Sequence, residues 1–580
     1  MMNAKDPSDE RNVNAGDCHV ETIPGLAKDE KEPGPVENGA HNEVIKGDDS
    51  DGRLNWSATS ILAYICLTFI FTGSQQPLYF TAGSLEFIIK DVGGSSTGSW
   101  LPIAYTLAAA VPIPFAGYLQ DIFGRRLILL FATSLTMVGL IILGTAHSFP
   151  QAVVAMALCG TGAGIAELAA FAGVTEVVPV KARGYSVAFM TVVATPFGPY
   201  PLYCQLLSTR ATWRWGIWMV LIFQGIALLG AALLYFPSKH SRLVGLARKD
   251  VIKNIDYVGG LLSLAGLTLL LVALNNGGYL YHWKSAKVLV PLILGIVAIG
   301  AFVVWERYFA KVPIAPRVLF RGSIIPKAFI ISFVGGVNFY SLSNFAPIYF
   351  TNVYHTDPVT TGARGIGLSL GVIWGAVLGA TFVSRFPKYA KWCITICCAI
   401  MTSFIGSLAA GNPSNPGYVV AASTIGGLAV GGLIVPASTY ATVACPDDLI
   451  ATTVGLILAL RAVGGSIGFA IYYNIFRNKL DTKLPTTIAQ YAVQAGLPLS
   501  SATEFVTNFL TNATALATVP GVTPAIIAAG AEGSRWAFAS SLKYIFYTSI
   551  PFGVIATGCA MWLGDITPLM TNRIVATLNH

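Results

Sequence analysis

Apolar windows of more than 18 residues, each with at most one charge, recur along almost the whole chain after residue 56. A helix needs about 20 such residues to cross a hydrocarbon core of roughly 30 Å, whereas a membrane barrel is written in short alternating segments. Backbone amides in lipid have no water to bond, so such windows must be helices that satisfy their own hydrogen bonds. Fourteen can be bounded by turn or charge signals. They run from 57–80 to 541–562 and include 150–174 as the fourth, 184–207 as the fifth, 324–350 as the ninth and 449–474 as the thirteenth. The expected class is an all-α polytopic membrane protein. Only 11% of the 580 residues are charged and 54% are hydrophobic, with a mean hydropathy of +0.64. A soluble enzyme, a fibre and a nucleic-acid binder are excluded on those numbers.

Charge gives the orientation. Residues 1–53 carry 13 acids and 6 bases, while the other 527 carry 30 bases and 15 acids, so the basic excess lies in membrane-flanking loops. With the N-terminus in the cytoplasm, 24 Lys and Arg fall on the cytoplasmic side and 11 outside, as the positive-inside rule requires. The acidic, apolar-poor stretch 1–56 reads as a disordered cytoplasmic tail with no signal-peptide core. The long segment 477–540 then lies outside as an extracellular loop, and 564–580 is a cytoplasmic stub. Asn512-Ala513-Thr514 in that loop is a glycosylation acceptor triplet. The nine cysteines offer no extracellular pair and read as small buried hydrophobes.

An internal echo divides the chain. Pro77-Leu78-Tyr79-Phe80-Thr81 closes the first window and Pro347-Ile348-Tyr349-Phe350-Thr351 the ninth; each is followed by a Thr-Gly pair that opens the next window and then by a basic turn. Windows 1–6 (57–236) and 9–14 (324–563) are thus two six-helix halves, with windows 7 and 8 (237–323) inserted between them.

After the second window comes Gly117-Tyr118-Leu119-Gln120-Asp121-Ile122-Phe123-Gly124-Arg125-Arg126. A turn with two glycines, an acid and a doubled arginine can latch the inner ends of helices and release them when a transporter opens. This run resembles the loop signature of the major facilitator superfamily, with Gly117, Asp121, Gly124, Arg125 and Arg126 as the gating motif. Asp256-Tyr257-Val258-Gly259-Gly260 and Trp305-Glu306 are similar to the fourteen-helix drug:proton antiporter branch. Gly160-Thr161-Gly162-Ala163-Gly164 with Glu167, and Arg461-Ala462-Val463-Gly464-Gly465-Ser466-Ile467-Gly468, look like the fungal trichothecene efflux pump group over residues 57–575. The resemblance implies a major facilitator fold of fourteen helices. Three departures stand out: Ile122 replaces the base that usually follows the Asp, Met156 and Cys159 replace the Arg and Gln of proton-coupled members, and Gly198-Pro199 is followed by Tyr200-Pro201-Leu202-Tyr203 rather than by paired glycines. The bend of the fifth window is kept at Gly198 and Pro199, and its close-packing half is lost.

Ionisable groups at membrane depth cost about 2.5–3.5 kcal/mol each on insertion scales and mark function by default. Glu167 shares a helix face with Gly160 and Gly164, so it looks into the protein and is the candidate proton carrier or substrate contact. Arg461 shares its face with Gly464, Gly465 and Gly468 and must meet a carboxylate, carbonyls, water or an anionic substrate. Gln75 and Gln76 beside Pro77, and Asn338, Tyr340 and Asn344 before Pro347, are candidates for a substrate cavity at the repeat interface, or else interhelical glue.

All seven histidines lie in tails or loops without metal-ligand spacing, and no phosphate-cradling loop ends in Lys-Ser/Thr. Neither enzyme chemistry, nor a metal or cofactor, nor ATP-driven pumping is expected. By resemblance the chain is a monomeric secondary transporter. The resemblance implies export of small hydrophobic toxins or drugs against protons across the fungal plasma membrane, or a vacuolar or other internal one. Siderophore–iron uptake is the alternative with the same layout, and a receptor without transport is disfavoured because no output domain is visible.

Overall fold

The computed structural model describes residues 57–94, 98, 100–237, 255–278, 280–354, 357–511, 516 and 519–575; the expected acidic tail and the acceptor Asn512 lie outside the described residues. Among the described residues, thirteen helices are long and apolar enough to cross a membrane. They are α1 (Ala58–Gly83), α2 (Trp100–Phe123), α3 (Arg125–Gly144), α4 (Phe149–Val177), α6 (Arg214–Leu234), α7 (Tyr257–Asn276) and α8 (Ala286–Tyr308). The remainder are α9 (Ile324–Val353), α10 (Pro358–Arg385), α11 (Pro387–Ala410), α12 (Pro416–Ala444), α13 (Asp447–Gln494) and α14 (Pro524–Met561). The fifth expected span, α5, is broken into Arg183–Val192 and Tyr200–Arg210 around a 3₁₀ turn at Thr195–Phe197. Pro196, Pro199 and Pro201 supply no amide hydrogen and clash with the preceding turn, so the i to i−4 ladder cannot run through them. Neither piece alone has the length of a span, which is why thirteen helices qualify rather than fourteen.

The two halves, α1–α6 and α9–α14, carry partly separate cores. Phe80, Tyr105, Leu143 and Ile217 belong to one in the first half, and Leu342, Phe345, Tyr349 and Phe546 to another in the second. A third cluster joins them, with Leu67, Leu168 and Met190 packed together with Phe329, Val377, Ile450 and Val454. The seam runs where α2 meets α13 and α5 meets α10. The inserted α7 and α8 stand outside this seam, with α7 against α2 and α13. The Asp256 backbone N–H donates to the Tyr118 hydroxyl at 3.1 Å, and Trp283 Nε1 donates to Asn474 at 3.0 Å. Only 11% of the apolar window of α8 is buried, as suits a helix that faces lipid.

One expectation is corrected. The segment 477–540 is not a loop: the helix of α13 runs unbroken from Ile450 to Gln494, 45 residues or about 68 Å, and α14 runs 38 residues or about 57 Å. Their projecting ends form a helical hairpin closed by the helix Ala502–Thr511 around Ile488, Phe505, Val506 and Ile526. An apolar window ends where lipid ends, but the helix persists because Ile488 and Ala492 give its projecting turns an apolar stripe of their own.

Candidate functional site

The seam is closed at the end that carries Asp121. Gly124, at φ +84°, ends α2 in a conformation that suits glycine and starts α3 at once. This turn aims Asp121 at the start of α13. Its carboxylate accepts hydrogen bonds from the backbone N–H of Ala451 (3.2 Å) and Thr452 (2.8 Å) and from the Thr452 hydroxyl (2.6 Å). A carboxylate at a helix N-terminus satisfies orphan donors and meets the positive end of the helix dipole. Gly117 permits the approach, since a Cβ there would sit 2.7 Å from the Ala451 carbonyl oxygen. Arg125, nearly fully buried, lies 3.2 Å from Asp121 and also pairs with Glu176 at the end of α4. Arg126 takes no part in this latch: it donates to the Ala232 carbonyl at 2.9 Å and stacks over Phe236 in the first half. Ile122, which stands in place of a base, is buried with Tyr118, Val312 and Ile314. The lost charge is thus replaced by an apolar seat for the insert.

Deeper in the seam, Arg461 of α13 meets Glu167 of α4 at 3.2 Å. Both are partly shielded, with 26% and 15% of their side-chain surface exposed. Glycine contacts on the two backbones position them. Gly160 and Gly164 bring α4 against the backbone of Tyr105 and Ala109 on α2, and Gly464 and Gly468 bring α13 against Phe333 and Val337 on α9. Tyr79, Tyr105 and Tyr340 lie within electrostatic reach of Glu167. Tyr79 donates to Gln75 Oε1 at 3.4 Å and stacks on Tyr200 with ring centres 5.0 Å apart, while Tyr340 lies against Gly465.

The expected cavity set divides. Gln75 and Tyr340 are half-buried near this ion pair, but Gln76 and Asn338 are buried. Gln76 donates to the Thr72 carbonyl of its own helix at 3.2 Å, and neither amide atom of Asn338 has a partner among the described residues. Asn344 is exposed and its amide donates to the Tyr340 carbonyl at 2.9 Å. Met156 and Cys159 are fully buried and pack as sulfur side chains, Met156 accepting from the Thr81 hydroxyl at 3.4 Å.

At Gly198 and Pro199 the broken α5 leans on α10, where the Ser369 hydroxyl donates to the Gly198 carbonyl at 2.5 Å. The glycines missing after Pro199 are supplied by the other half. A Cβ at Gly362 would lie 2.8 Å from the Pro201 carbonyl oxygen, and one at Gly365 would lie 3.0 Å from the Pro201 side chain.

Sequence reasoning missed four charged residues at the Asp121 end. Glu176 lies two residues beyond the fourth window, Arg183 and Asp447 lie one and two residues ahead of the fifth and thirteenth, and Arg573 lies in the stub. Arg183, buried, donates to the Thr175 carbonyl at 3.0 Å and to the Thr442 carbonyl, and lies 3.8 Å from Asp447. The signal available for Glu176, Arg183 and Asp447 was position, since each flanks a window end; Arg573 had none.

A family model described as the fungal trichothecene efflux pump (TRI12) matches residues 47–579. Trichothecene efflux pump TRI12 of Trichoderma arundinaceum is 28% identical over 407 residues, 67% of this chain and 66% of that protein. The MFS-type transporter pydD of an Acremonium species is 29% identical over 395 residues, with 67% and 66% covered. The chain thus spans about two-thirds of the length of these curated relatives. Among solved structures, the human organic anion transporter MFSD10 superposes with a TM-score of 0.52 at 13% identity, covering 86% of this chain and 99% of that one. The proton:xylose symporter XylE gives 0.52 at 13% identity, covering 89% and 97%. These two likenesses show the fold. The chain belongs to the fungal trichothecene efflux pump family of the major facilitator superfamily, a family of membrane transporters and not of enzymes.

Proposed function

We propose that this protein exports hydrophobic toxins or drugs, trichothecene-like in size and polarity, across the plasma membrane in exchange for protons. The observation that carries this reading is the Glu167–Arg461 pair, which ties α4 of one half to α13 of the other at 3.2 Å. A proton arriving on Glu167 cancels the charge that holds Arg461, so proton uptake and separation of the two helices become one event. Alternating access then follows: α5 counts as the fourteenth span, crossing as a bent helix on α10, and the two halves rock about the seam with the Asp121 end in the cytoplasm. Gln75, Tyr79 and Tyr340 offer neutral hydrogen-bonding groups beside an ion pair that is already satisfied, which suits an uncharged substrate.

The test is made in yeast lacking its own efflux pumps and siderophore carriers. Cell-associated labelled trichothecene is compared with and without the protein, before and after the proton gradient is collapsed. Export that stops with the gradient is expected, and Glu167→Gln is expected to abolish the gradient dependence while leaving the protein at normal abundance. Gradient-driven export that persists in Glu167→Gln refutes the carrier role. Gradient-dependent gain of ferric siderophore instead reverses the direction of transport.

A further inference from the structure

The chain beyond α14 is bound at both sides of the seam. It first follows the second half, where Lys327 donates to the Trp562 carbonyl at 2.5 Å and the Tyr440 hydroxyl donates to the Gly564 carbonyl. It then crosses to the α4–α5 turn of the first half. There the backbone N–H of Lys181 donates to the Thr571 carbonyl (3.1 Å), that of Val180 to the Arg573 carbonyl (3.1 Å), and that of Val575 to the Glu176 carbonyl (3.3 Å). The Arg573 side chain turns back to pair with Asp447 at the start of α13, the same carboxylate that Arg183 approaches from the first half.

We propose that residues 571–575 form a strap that holds the Asp121 end shut, with Arg573 and Asp447 as positioning residues for the latch. The proposal rests on the rocking of the two halves described above. Opening that end must part the α4–α5 turn from the second half. Because the segment is rooted in the second half through Gly564, it must then give up three backbone hydrogen bonds to the first. Glu176 couples the two devices, since its carboxylate pairs with Arg125 while its carbonyl accepts from the strap. Asp447 is shared between an arginine of the strap and one of the first half, so strain at either side is felt at the same carboxylate.

The test uses the full-length protein. A Lys181→Cys, Thr571→Cys pair, which leaves Arg573 and Asp447 in place, is oxidised to tie the strap to the first half. A control pair, Ile324→Cys with Gly564→Cys, ties two neighbours within the second half, where a Cβ at Gly564 lies 2.9 Å from Ile324. Transport is expected to fall to background in the first pair and to return with reductant, and to persist in the control; undiminished transport in the cross-linked first pair overturns the proposal. In parallel, labelling of a Ser384→Cys thiol, whose position faces Gly184 across the seam, is followed in detergent. Deletion of 571–580 or Arg573→Ala is expected to speed labelling about fivefold, the size of shift a lost peripheral ion pair and a few hydrogen bonds produce, and Arg573→Lys much less. Unchanged labelling in both the deletion and Arg573→Ala also overturns it, and this arm decides if the cysteine pair does not oxidise. Labelling reads movement whatever is carried, so an error about the substrate appears as absent transport with normal labelling changes.

Discussion

At the Asp121 end the halves are joined by a buried carboxylate that accepts three hydrogen bonds from α13, by Arg183 facing Asp447 and by a crossing segment of chain. At the opposite end α5 and α10 meet through Gly362 and Gly365 against Pro201. The first kind of contact is directional and costly to leave half made, because a buried charge without its partner keeps its desolvation penalty. The second is close packing of small residues, which leaves no buried charge behind when it parts. One seam therefore contains two kinds of joint, a directional latch and a packed contact of small residues, and the rocking proposed above would use both.

The largest effect is expected from Asp121→Ala. Removing one partner of a buried charged network costs about 3–5 kcal/mol, a shift of more than 100-fold in favour of the open end. Labelling of Ser384→Cys should rise by at least that order and transport should fall to background; unaltered labelling would remove the distinction between the ends. A smaller and more discriminating pair is Gly117→Val against Gly362→Val. Each forces a side chain to within about 3 Å of backbone on the other half, worth roughly 1–3 kcal/mol of overpacking. The first should open the Asp121 end and the second the opposite end, seen as opposite changes in Ser384→Cys labelling. Changes of the same sign would mean that the two ends do not compete.

The smallest effect is expected at Asp91, beyond the end of α1. Its carboxyl is held below the usual range by the Trp213 indole N–H and by Arg214. A lowered folded value means that the stabilisation is present above the unfolded Asp range, near pH 4, and is lost as pH falls through the lowered value. With 45% of its side chain exposed, the contribution is well under about 1 kcal/mol after solvent screening. Asp91→Asn should lower stability slightly at neutral pH and converge with the unaltered protein in acid, which flattens the acid limb of a thermal-stability profile in detergent.

Much of this was legible because lipid imposes simple rules. Length and apolarity gave the spans, and the Gly117–Arg126 run marked the turn that becomes the latch. Arg461 announced that it needed a carboxylate, carbonyls, water or an anionic substrate, but that Glu167 meets it depends on how α4 and α13 are placed side by side, and the two residues are 294 apart in sequence. Which of the two roles, cavity lining or interhelical contact, falls to Gln76 and Asn338 was not legible for a related reason. A polar residue on a helix whose every face is apolar has no hydrophobic stripe to orient it, so lining and burial look alike. Arg125 and Arg126 are neighbours with one chemistry, yet helical rotation sends the first to Asp121 and the second to Phe236. The strap left no mark at all, being five residues held mostly by backbone atoms, which every residue possesses.

The unbroken length of α13 makes it a lever. One arm ends at the Asp121 carboxylate and the other at the hairpin around Phe505, with Arg461 between them. From Arg461 to Gln494 the outer arm measures about 50 Å, so a tilt of about 10° moves its tip by about 9 Å. Under the rocking proposed above, the hairpin would amplify small movements near Arg461, and a binder raised against its tip would read them at a distance.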